Sequence, residues 1–98
     1  MNNIFTSLGS EHHIKILGIL NEHKELPPFK ICLFFNMEQS TMSHHLNLMR
    51  RRGILKTRLK GRMRLYSINY DTMRSFFNDF FNTELGQEFV FYKKINKS

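Results

Sequence analysis

The chain has one cysteine, which excludes an intramolecular disulfide and any multi-thiolate zinc knuckle built within one chain. It has no apolar run near the ~20 residues that a membrane span requires. Met1–Ser7 has neither the basic start nor the long apolar stretch of a signal peptide. Repeats, low-complexity stretches and Gly/Ser spacers are lacking too, so nothing marks a domain boundary within residues 1–98. Nucleophile, base and acid never stand at a catalytic spacing, and no Gly-rich phosphate loop is present. The expectation is a single small, cytoplasmic domain that is not an enzyme. At 41% hydrophobic and 13% aromatic residues it is too apolar for a disordered basic tail.

A further absence points toward a partner. Residues 39–70 contain no Asp or Glu, yet hold eight of the fifteen Lys and Arg. These are Arg50, Arg51, Arg52, Lys56, Arg58, Lys60, Arg62 and Arg64. Outside that window seven bases face eight acids, so the whole formal charge of +7 sits in one third of the chain. A solvated face normally mixes signs, because like charges repel. A window of one sign suits a polyanion.

Residues 10–23 read as a helix with Ser10 as its N-cap. Ile14, Leu17 and Leu20 form its stripe, and Ile16 and Ile19 widen it. Pro28 suits the first turn of a short helix over about 28–36, with Ile31, Cys32 and Phe35 facing the core. A third helix runs from about 39 to 52, with Met42, Leu46 and Met49 inward and Gly53 at its C′ position. The period then changes to that of strands: Leu55–Lys60 and Met63–Asn69 form a hairpin around Gly61-Arg62, with Tyr66 and Ile68 on one face. From about Asp71 a helix returns, striped by Met73, Phe76, Phe77, Phe80, Phe81 and Leu85. So many large side chains suit burial partly in this domain and partly against a second copy.

This order reads as a winged helix-turn-helix: mainly α, arranged α-α-α-α-β-β-α with a small β-hairpin, and expected to form a homodimer through its terminal helices. Residues 1–9 are an N-terminal dimer segment, 28–52 the helix-turn-helix, 54–69 the wing and 71–92 the C-terminal dimer helix. Small polar groups at the start of the third helix suit entry into a DNA major groove. Gln39, Ser40, Thr41, Ser43, His44, Asn47, Arg50 and Arg51 on that helix are the candidate DNA contacts. Arg58, Lys60, Arg62 and Arg64 join them from the wing. The candidate dimer residues are Ile4, Phe5, Leu8, Met73, Phe76, Phe77, Phe80, Phe81 and Leu85.

Gln39-Ser40, Ser43, His45-Leu46, Arg50 and Gly53-Ile54-Leu55 resemble the helix-turn-helix of the ArsR/SmtB repressors. Arg58, Gly61-Arg62 and Tyr66-Ser67-Ile68 resemble its wing, and Leu8-Gly9-Ser10-Glu11 its first long helix. The resemblance covers residues 8 to 70 and implies a homodimeric repressor of transcription on palindromic double-stranded DNA. It matches His45 to a position that is usually half buried, hence structural first and a phosphate contact second. It places His13 where relatives often carry Arg.

The arsenite-sensing members carry a Cys-x-Cys pair where this chain reads Pro27-Pro28-Phe29-Lys30-Ile31-Cys32. The zinc-sensing members carry Asp and His on the last helix, and this chain has no histidine after His45. No metal site and no cofactor are expected. His12 and His13 diverge by ~100° on a helix and could share an ion only with His23 or Asp79 of another helix. Cys32 reads as a small buried hydrophobe, with a single-thiol redox response as the alternative. A winged-helix module that binds RNA or protein is the other alternative function. No small-molecule substrate is expected.

Overall fold

The structure is a computed structural model, and it describes residues 10–82. Ile4, Phe5 and Leu8 of the expected dimer segment lie outside the described residues, as do Leu85 and the side chains of Phe80 and Phe81. The elements in chain order are α1 (Glu11–His23), β1 (Glu25–Leu26), α2 (Pro28–Cys32), α3 (Gln39–Arg51), β2 (Leu55–Lys60), β3 (Met63–Ile68) and α4 (Tyr70–Phe81).

Ser10 caps α1, its hydroxyl accepting from the His13 N–H at 3.4 Å. The inward stripe of α1 is His13, Ile16, Ile19 and Leu20. Ile14, expected on that stripe, is exposed on the side of the helix that looks toward α4. Positions 13, 16 and 20 stand at i, i+3 and i+7, so the buried row includes a histidine that apolar periodicity alone passes over.

The helix α2 ends at Cys32, earlier than expected. Successive i→i+3 bonds from the Leu33, Phe34 and Phe35 N–H groups carry the chain into a tight turn instead. That turn leaves Leu33 and Phe34 exposed and Phe35 half buried against the core.

The helix α3 buries Met42, Leu46 and Met49 completely, as its spacing predicts. Its end is a Schellman motif. Gly53 donates to the Arg50 carbonyl and Ile54 to the Met49 carbonyl, each at 3.0 Å, with Gly53 at a φ of +83°.

The hairpin β2–β3 pairs Leu55 with Ile68 through Lys60 with Met63. Gly61 takes a φ of +64° at the first position of the two-residue turn, where a II′ turn places glycine. The sequence did not suggest that Glu25-Leu26 would add a third strand. Glu25 pairs with Ser67 and Leu26 with Tyr66, giving the order β1-β3-β2. Two residues are too short for any period to register.

The core collects Ile16, Leu20, Ile31, Leu46, Ile54 and Tyr66, with Phe76 from α4 closing it. Phe76 is therefore committed to the protomer's own interior, while Phe77, edge-on to it at 5.3 Å, is exposed.

Lys24 stands between α1 and β1 with φ 73° and ψ −61°, a conformation that L side chains rarely hold. Lys24→Gly removes that strain at the expense of some unfolded-state entropy, so a net gain of about 0.5–1 kcal/mol is expected in urea unfolding. Gly53→Ala reverses the argument and should lose about 1–2 kcal/mol.

Candidate nucleic-acid interface

Because Met42, Leu46 and Met49 are held inward, the opposite side of α3 is turned to solvent. Gln39, Ser40, Thr41, His44 and Arg51 are exposed there, and Ser43, Asn47 and Arg50 are half buried. Glu38 occupies the N-cap in an extended conformation without a side-chain bond to the helix. The first N–H groups of α3 therefore have no side-chain acceptor from the N-cap residue. Arg50 Nη2 donates to Asn47 Oδ1 at 2.7 Å, one turn apart on the same face. These two expected contacts thus present a joined guanidinium–amide unit.

The wing carries Lys56, Arg58 and Lys60 on alternate residues of β2, so all three share one face of the strand. Arg62 and Arg64 are exposed at and just beyond the turn. Arg58 differs from the rest. Its Nε lies 2.9 Å from Glu25 Oε2 and 3.1 Å from Oε1, and its Nη2 also donates to Oε1. The Arg58 guanidinium holds the Glu25 carboxyl below its usual range by hydrogen bonding and charge. Sequence reasoning missed Glu25, which lies 33 residues away on a strand of two.

Behind α3 lies a second unanticipated group. His13 Nε2 and His45 Nδ1 stand 3.1 Å apart, which ties α1 to the recognition helix. This supports the structural role for His45. The His12 ring is 5.4 Å and the His44 ring 6.2 Å from that of His45. His13 is buried, and its Nδ1 has no hydrogen-bond partner among the described residues. The arrangement fixes the tautomer by elimination. A proton on His13 Nε2 donates to His45 and leaves only a lone pair unpaired at Nδ1. The other choice buries an unpaired N–H, which costs more.

Protonating His13 would create that same orphan donor. Burial and the neighbouring His45, Arg52 and His12 accordingly push its pKa down to about 4. Burial, His12 and His44 lower His45 as well. Among the described residues no three His, Cys, Asp or Glu side chains come together in a way that could hold a metal ion. His23 lies against Phe34, away from this cluster. Cys32 is half buried, with its thiol donating to the Met37 carbonyl at 3.1 Å.

An apolar groove of about 580 Å³ runs between α1 and α4, lined by Ile14, Leu17, Gly18, Met73 and Phe77. No described helix is long and apolar enough to cross a membrane.

A polar recognition helix, a basic β-wing beside it and a buried scaffold behind define a winged helix-turn-helix transcriptional regulator. Comparison with known proteins narrows the class. The chain is 34% identical over 71 residues to a helix-turn-helix-type transcriptional regulator of Methanocaldococcus jannaschii, covering 72% of this chain and 80% of that one. It is 28% identical to the transcriptional repressor SdpR of Bacillus subtilis, over 80% of this chain and 86% of the repressor. The crystal structure of the transcriptional repressor PagR of Bacillus anthracis superposes with a TM-score of 0.60 at 34% identity, covering 66% of this chain and 74% of that one. No protein-family model matches the chain. The protein belongs to the ArsR/SmtB family of winged helix-turn-helix repressors, and it is a DNA-binding regulator of transcription.

The histidine pair makes stability depend on pH. Both imidazoles titrate below the ordinary histidine value in the folded protein, so the unfolded chain binds protons first as pH falls. Their contribution is complete above about pH 6.5 and is lost progressively toward pH 4, by roughly 1–3 kcal/mol. Urea midpoints between pH 7 and 4.5 should fall in the wild type and fall less in His13→Gln. Parallel curves for the two proteins would contradict this account.

Proposed function

We propose that the protein binds a palindromic operator as a homodimer, reading bases with α3 and phosphates with the wing. The observation that carries the reading is the outer face of α3. Ser40, Thr41, Ser43 and His44 are small or polar, none is apolar, and an acid-free basic wing flanks them. Hydroxyl, imidazole and amide groups can discriminate base edges in the major groove, whereas Lys60, Arg62 and Arg64 meet any phosphate alike. Arg50 and Asn47, already joined, add a pre-oriented contact. A surface meant for a protein partner would bury apolar side chains at its centre, and this face offers none.

The homodimer is supported by the groove between α1 and α4, whose lining is apolar and open. Ile14 and Phe77, turned away from the core, are the side chains a second copy would cover. Phe77 and the exposed part of Met73 line that groove, whereas Phe76 serves the protomer's own core, against which Met73 also packs. Two-fold symmetry would then set two α3 helices on one side of the molecule, and a palindrome is the DNA counterpart of that symmetry.

Selection of duplexes from a random library, followed by binding to the selected site and to a scrambled duplex, tests this. The selected site should be an inverted repeat bound at least 10³-fold more tightly than the scramble. Ser43→Ala with His44→Ala should lose mainly discrimination. Lys60→Gln with Arg62→Gln should weaken both duplexes alike and flatten the salt dependence. Equal affinity for both duplexes in the wild type, or a sedimenting monomer at binding concentrations, would refute the reading.

A further inference from the structure

The Glu25–Arg58 pair is the one feature of the wing that works against DNA binding. Among the described residues the ion pairs are Arg58–Glu25 and Arg74–Asp71, and only the first involves a wing cation. The acid is placed by the fold. Residues 39–70 contain no carboxylate of their own, and β1 brings one in from outside by pairing with β3. Glu25 sits opposite Ser67 and Arg58 opposite Leu65, so the contact crosses β3 diagonally on the outer face of the sheet. Leu65 beneath it is buried although it faces away from the core row of Tyr66 and Ile68. Arg58 and Glu25 thus cover an apolar side chain as well as each other.

The pairing uses Nε and Nη2 against both carboxylate oxygens. A guanidinium engaged in this manner has lost its Nε–H and one Nη2–H donor, and a phosphate approaching the remaining donors also meets the carboxylate that already neutralises their charge. Lys56 and Lys60, two residues to either side on the same strand face, have no such partner in reach at hydrogen-bond distance among the described residues. The wing therefore holds one cation paired, beside others that make no ion pair with a described residue.

We infer that Glu25 is an affinity-limiting residue: it withholds Arg58 from the phosphate backbone and so keeps indiscriminate binding to duplex DNA weak. The inference rests on the DNA-binding reading above. Non-specific complexes are held almost wholly by phosphate contacts, so a masked wing cation lowers them fully. The mask lowers specific and non-specific complexes alike, and the specific complex, which keeps its base contacts, is the one that stays tight.

The test is a double-mutant cycle on the full chain with a scrambled duplex, read by fluorescence anisotropy across salt concentrations. Glu25→Gln should tighten binding about five- to tenfold and steepen the salt slope by about 0.9 for each protomer whose Arg58 takes up a phosphate. Arg58→Gln alone should change the affinity less than twofold, while Arg62→Gln weakens it severalfold. In Glu25→Gln with Arg58→Gln the gain should vanish. A gain that survives in the double variant would show that removing any acid suffices, and would overturn the inference. So would an Arg58→Gln loss as large as that of Arg62→Gln, because Arg58 would then already contact DNA. Absence of duplex binding by both wild type and Glu25→Gln would overturn the DNA-binding reading together with the inference. Wild-type binding with a flat cycle would overturn the inference alone. Exposed ion pairs contribute little to stability, and circular dichroism of each variant checks that its fold is retained.

Discussion

Everything the protein can present to a groove depends on one buried row. Met42, Leu46 and Met49 lose all contact with solvent, and a helix that commits three positions at i, i+4 and i+7 has no rotational freedom left. Its outer residues are then oriented without any restraint of their own. Each of these three side chains contributes roughly 2–5 kcal/mol against truncation, far more than the surface contacts opposite them. The same row meets Ile16 and Leu20 of α1 and Ile54 beyond the Schellman turn. The angle between recognition helix and wing is set by that interior, with Gly53 as the joint where one element hands over to the next.

The charge adds a second layer of constraint. A window of 32 residues with no acid would repel itself, yet the fold tolerates it because the cations spread over α3, both strands of the hairpin and the turn between them. In the wing, Arg58 is neutralised by an acid from elsewhere. A strand of two residues is a weak element by itself; its hydrogen bonds to β3 are what locate the Glu25 carboxylate. Local backbone pairing thus decides the electrostatics of a site that composition alone describes as uniformly basic.

Most of the framework was legible because it is periodic or punctuated. The inward row of α3, the glycine after it, the alternation in β2 and the turn at Gly61 each follow from local rules that act within a few residues. The spacing of Ile31, Cys32 and Phe35 extends α2 to about residue 36, whereas the chain turns after Cys32 and leaves Leu33 and Phe34 exposed. Ile14 falls on the apolar stripe of α1 yet is exposed, because counting apolar residues cannot separate a side that meets the core from a side that looks toward α4. Phe76 and Phe77 are adjacent and alike in chemistry, yet one is buried and one is not. What the sequence hid are the contacts across distance. Glu25 meets Arg58 over 33 residues and His13 meets His45 over 32, and no local period reports either.

The histidine pair shows why a buried polar group can suit this position. An apolar side chain at 13 would pack against the core with no preference for register along α3. The bond from His13 Nε2 to His45 Nδ1 is directional and is satisfied at one relative placement of the two helices. It therefore restricts sliding and rotation that apolar contacts permit. The unpaired Nδ1 is the cost of that choice, and leaving an acceptor rather than a donor unpaired keeps the cost small. His45 lies beside His44, which is exposed on the outer face of α3. The register that the buried pair imposes is thus conveyed, within one residue, to a side chain on the recognition surface.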